Sequence, residues 1–175
     1  MLGELGLLIL RVVLGLVFMA HGAQKLFGWF GGPGLKGFIG WMASMGLRPA
    51  AFWGFIAGLF EFGGGLLTVL GLLNPIGPLA IIAVMLMATI KVHLDKGFWN
   101  SKGGYEFPLM NIASALAVAL IGPGTYSLDA ALGIALPEPT TVIVGLVLVI
   151  LGLIVALATQ QKQPAMQGQP GESRA

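Results

Sequence analysis

Seven ionisable residues of this 175-residue chain could do chemistry: Arg11, His21, Lys25, Glu61, His93, Glu106 and Asp129. Arg11 and Glu61 stand inside apolar runs, where a charge costs at least about 2.5–3.5 kcal/mol on insertion scales, so each needs a partner. Counted from the ends of their runs, they lie at depths of about 14 Å and about 18 Å, which predicts an Arg11–Glu61 ion pair. His21 and Lys25 are four residues apart and share a helical face. Arg11 falls within about 40° of that face at the α-helical period. A histidine can shuttle a proton near neutral pH or bind a polar head group, and His21 is the deeper residue of the pair. A satisfied hydrogen-bonding role for His21 stays open beside it. Lys25 reads most simply as a span-end lysine whose amine reaches the interface. Glu61 shares a helical face with Gly54, Gly58 and Gly65, which turns it toward another helix rather than lipid. Whether Glu61 is a working carboxylate or half of a structural ion pair stays open.

Farther along, Lys91 and Asp95 are also four apart and predict a surface ion pair. His93 lies between them and Glu106 opens the next apolar run, so His21, His93, Asp95 and Glu106 are expected near one membrane face. No metal site is expected: the chain has no cysteine and two histidines, and these carboxylates and histidines show no metal-binding spacing. "GGPG" at 31–34 lacks the lysine-hydroxyl pair and strand-to-helix setting of a phosphate loop, and no serine triad is supported. No basic block points to nucleic acid.

The elements that must position these residues are membrane helices. The composition is 57% hydrophobic and 9% charged, with a mean hydropathy of +0.92. A water-soluble domain carries about 25% charged residues. The chain reads as all-α, a polytopic helical bundle, with spans at about 5–26, 52–73, 76–93, 107–121 and, after Pro137 and Pro139, a further helix within 137–159. The first run has Glu4 and no basic n-region, so it reads as a retained span. Residues 27–51 read as a loop, 125–136 as an interfacial amphipathic segment, and 160–175 as a disordered polar tail. With five spans, Lys36, Arg48, Lys91, Lys96, Lys102 and the tail cations fall on one side. The positive-inside rule then puts the N-terminus outside and the C-terminus inside a cell (inner) membrane. The stretches His21–Gly32 and His93–Gly104 echo each other, and either a pseudo-repeat or common interface chemistry accounts for that.

Arg11, "HGAQKLFGWFGGPGLKGF" (21–38), "FEFGGGLLTVLGLL" (60–73), "GYEFPLM" (104–110) and "GPGTYSLDAAL" (122–132), in that order, resemble the DoxX family of small membrane proteins over about residues 5–133. The resemblance implies a four-helix membrane domain over 1–136, to which this chain adds a C-terminal span. It also implies association with membrane redox complexes, and marks Arg11, His21, Lys25, Glu61, Glu106 and Asp129 as the characteristic polar positions, without assigning their roles. The expected function is a membrane subunit or anchor, not catalytic alone, that works with a soluble or membrane redox partner and binds a quinone-like or other amphipathic molecule. No bound cofactor is evident, since the chain offers no cysteine and no dinucleotide fingerprint. A scaffold whose buried charges set helix register and a small transporter or channel remain the alternatives, and any of the three could be a homo-oligomer in the bilayer.

Overall fold

Glycine and proline end the apolar runs, and helices fill the intervals between them. The computed structural model describes residues 1–161, so the expected disorder of the tail lies, from residue 162 onward, outside the described residues. Helix α1 (Leu2–Phe27) stops at Gly28, whose φ of 74° is left-handed and therefore suits a residue without Cβ. Helix α2 (Gly34–Ser44) is followed by α3 (Ala50–Leu70), which starts after Pro49 and stops at the left-handed Gly71. Helix α4 (Ile76–Ala88) runs into a π-helical turn (Thr89–His93) and a 3-10 turn (Leu94–Lys96). Then come α5 (Glu106–Ile121), the short α6 (Leu128–Leu132) and α7 (Thr140–Ala158).

Among the described residues, four helical stretches are long and apolar enough to cross a membrane: Leu2–Phe27, Ala50–Leu70, Ile76–Lys96 and Thr140–Ala158. Helix α5 has 16 residues, or about 24 Å of a core about 30 Å thick, as the short fourth run implied. The chain is a multi-pass, all-helical membrane protein.

Residues 27–51, expected as a loop, contain α2. Its apolar positions Leu35, Phe38, Ile39 and Met42 recur at helical spacing, a signal that the aromatic and glycine content of the segment masks. Phe38 and Met42 are buried. Each of the two echoing stretches closes a helix and passes through 3-10 turns, the first leading into α2 and the second into α5.

Helices α1 and α3 pack antiparallel, backbone against backbone. A Cβ on Gly22 would lie 2.4 Å from the amide nitrogen of Phe62, and one on Gly15 would lie 2.5 Å from the Gly65 carbonyl oxygen. Small residues permit this approach, and in lipid the packing it allows is a main force between helices. Gly22→Ala is expected to destabilise the bundle by about 3 kcal/mol, because the clash is with main chain that cannot rotate away. Gly6→Ala, at a site with nothing within 4 Å, is expected to be neutral or slightly stabilising. Thermal unfolding in detergent compares the two.

Helix α7 lies on α4, where Leu79 fills the space over Gly145. Its C-terminal end is tied to the turn after α2: Gln161 N donates to the Gly46 carbonyl at 2.9 Å, and Gln160 Nε2 to the Met45 carbonyl at 3.1 Å. Ala156 of α7 joins the buried cluster of Phe38, Met42, Leu47 and Ala50.

Candidate functional site

The register of α1 against α3 decides where the charges go. Gly15 faces Gly65, Gly22 faces Phe62, and Arg11 faces Gly71. Arg11 and Glu61 are thus about 15 Å apart along the helix pair, ten residues at the α-helical rise. The expected Arg11–Glu61 pair does not form. Depths counted from the ends of two apolar runs ignored the offset that the glycine contacts impose.

Lys25 is the partner of Glu61. Its Nζ lies 2.5 Å from Glu61 Oε1, and this is the only salt bridge among the described residues. Side chains on a helix lean toward its N-terminus, so Lys25 reaches back about one turn to the level of Glu61. The ammonium also sits 4.8 Å from the centre of the Phe38 ring, a cation–π contact provided by α2. The side chain of Glu61 is 3% exposed and that of Lys25 25%. Glu61 lies with Gly54, Gly58 and Gly65 on the buried face of α3, the orientation their spacing implied. Its second oxygen, Oε2, is buried and has no hydrogen-bond partner among the described residues.

That ion pair forms part of the wall of a cavity of about 400 Å³. Helices α2, α3, α4 and α7 supply the rest, including Phe38, Trp41, Met42, Trp53, Met87 and Leu153. Polar groups are few and the lining is mostly aromatic, methionine and aliphatic, the character of a site for an apolar molecule with one polar end. The charged residues on the lining are Lys25, Glu61 and Lys91. Sequence reasoning did not single out Lys91 as a site residue, nor the cavity walls from α2 and α7.

The other charged residues serve different ends. Arg11 is buried and donates to the carbonyls of Pro123 and, at 2.7 Å, Tyr126, with the Asp129 carboxylate acting on its charge. Asp129 in turn accepts from the amides of Leu73 and Asn74, both at 2.8 Å, and its own amide donates to the Gly71 carbonyl. The Ser127 hydroxyl caps α6 by accepting from Ala130 N. The segment expected to lie along the interface is therefore bolted onto the α3–α4 turn. Arg11 and Asp129 hold that end of the bundle together, remote from the cavity.

His21 is exposed and has no hydrogen bond among the described residues; it faces outward from the helix pair rather than toward Glu61. His93 Nδ1 lies 2.7 Å from the Gly103 carbonyl oxygen, and Glu106 Oε2 accepts from the Asn100 amide at 2.9 Å. Both organise the 94–105 turn. No group of three or more potential metal ligands occurs among the described residues. The expected Lys91–Asp95 pair is also absent among them. The π-helical turn inserts the equivalent of an extra residue, so positions four apart no longer share a face.

The DoxX family model matches residues 6–94. A protein of Bacillus subtilis (strain 168) named "Putative oxidoreductase CatD" is 30% identical over 126 residues, covering 72% of this chain and 86% of its own. "Uncharacterized membrane protein Rv3486" of Mycobacterium tuberculosis (strain ATCC 25618 / H37Rv) is 27% identical over 137 residues, covering 73% of this chain and 81% of its own. No solved structure matches the chain.

Proposed function

Because the chain belongs to the DoxX family, and a relative carries an oxidoreductase name, we propose that it is a redox-associated membrane subunit that binds a quinone-like amphiphile in the α2–α3–α4–α7 cavity. The observation that carries this is Glu61 on the lining of an apolar cavity, its buried Oε2 without a partner among the described residues. A buried polar atom without a partner is costly, and a ligand hydroxyl would supply the missing hydrogen bond. Lys25 has N–H groups beyond the one given to Glu61, so it can donate to a ligand carbonyl beside that hydroxyl. A quinone/quinol pair offers both groups on one ring, and its apolar tail suits the remaining lining. With no cysteine in the chain, electrons would pass to or from a partner protein, and the subunit would present the ligand to it.

The lysines of α2 and of the 94–105 turn lie at the cavity end of the bundle. The positive-inside rule puts that end in the cytoplasm and the N-terminus outside the inner membrane. The mostly exposed α7, 11% buried over its apolar window, leaves a face for lipid or for a second copy of the chain.

Trp41 and Trp53 line the cavity, so a short-chain naphthoquinone should quench tryptophan fluorescence of the purified protein saturably. Glu61→Gln removes the acceptor charge and is expected to weaken quinol binding about tenfold, the size of one charge-assisted hydrogen bond. Unsaturable quenching of the unaltered protein, equal to that of free tryptophan, would end this reading.

A further inference from the structure

The cavity lining contains two ammonium groups and one carboxylate. Lys25 is matched by Glu61. Lys91 is half-buried and has no ion-pair or hydrogen-bond partner among the described residues, although its own helix carries Asp95 one turn away. The π-helical turn Thr89–His93 is the reason. At its start the Thr89 hydroxyl donates to the Met85 carbonyl at 2.8 Å, and at its end His93 is held to Gly103. Such turns are rare and occur often at functional sites. Here the turn takes Lys91 off the face of Asp95 and onto the cavity lining, beside Ala88 and Val92.

We infer that the cavity selects an amphiphile with an anionic head group, and that Lys91 is the residue that reads the charge. With a neutral ligand the lining keeps one uncompensated positive charge among apolar side chains, which is unfavourable. An oxyanion on the head group facing Lys91 cancels it, while a ring carbonyl accepts from Lys25 and, in the quinol form, a ring hydroxyl donates to Glu61. The inference rests on the cavity being the ligand site and narrows what it accepts: among quinone-like molecules, those that ionise, such as a 2-hydroxy-1,4-naphthoquinone.

The test uses the full chain in detergent and two probes with the same alkyl chain. One is a 3-alkyl-2-hydroxy-1,4-naphthoquinone, ionised at neutral pH, and the other its neutral 2-methoxy ether. Each is titrated by tryptophan quenching. The anion is expected to bind about tenfold more tightly than the ether. Lys91→Gln should erase that difference by weakening the anion, with the ether bound at least as tightly as before. Lys36→Gln, which removes an exposed cation of α2 outside the cavity lining, should leave the preference intact; if it erases the preference as fully as Lys91→Gln, general surface charge is responsible and the inference fails. Equal binding of the two probes by the unaltered protein overturns the inference but spares the cavity. Binding of neither overturns both.

Discussion

Replacing Asp129 by alanine is expected to cost about 3–5 kcal/mol of stability, the largest effect of any single side chain outside the helix contacts. The carboxylate accepts two backbone amides at the α3–α4 turn, from Leu73 and Asn74, and is 3% exposed as a residue. Its removal leaves both N–H groups buried and unpaired. It also takes away the negative charge near Arg11, whose guanidinium is buried and then has only carbonyl dipoles to face. The breakage of a buried pair by removal of one member is costly because the other charge stays behind. Asp95→Ala, at an exposed carboxylate, is the control and should be silent. Unfolding midpoints of detergent-solubilised protein and the fraction recovered as a monodisperse species measure both. An Asp129→Ala protein as stable as the Asp95→Ala control would mean that this end of the bundle is held by something other than the Asp129 network.

Lys25→Met is expected to destabilise by about 3 kcal/mol, and addition of Glu61→Gln to recover most of the loss. The asymmetry of the pair is the reason. Lys25 is partly exposed and can swing its amine toward water when Glu61 is neutralised, whereas Glu61 is enclosed and cannot follow. Loss of the lysine therefore strands a carboxylate; loss of the carboxylate frees a lysine. Glu61→Gln alone should be mild in stability while weakening ligand binding, which separates the structural from the binding role of the same residue. Three unfolding midpoints, for the two single variants and the double, decide it. Additive losses would show that the two charges do not depend on each other.

The inward orientation of Glu61 was legible because the glycines at positions 54, 58 and 65 lie on its own helix, and helical periodicity is a local property. Its partner was not, because the nearest cation in apparent depth, Arg11, is excluded by how two helices slide against one another. Gly15, Gly22 and Gly65 set that slide, and a shift of one turn moves a side chain by about 5.4 Å. Asp129 was visible as a characteristic position, but its task of capping a turn 55 or more residues away leaves no trace in spacing. Lys91 was misread for a different reason. The i,i+4 rule assumes an α-helix, and the π-helical turn depends on contacts made on both sides of it.

The sequence by itself determined the solvent, the class and the approximate spans, since run length, charge content and the positions of glycine and proline act within a few residues. It also determined that charges inside those spans must be satisfied by protein rather than lipid. Only the tertiary structure decided which charges meet. The α1–α3 register separates Arg11 from Glu61 and delivers Lys25 instead, and α2 and α7, one hidden in an apparent loop and the other outside the family match, close the walls of the cavity around that pair.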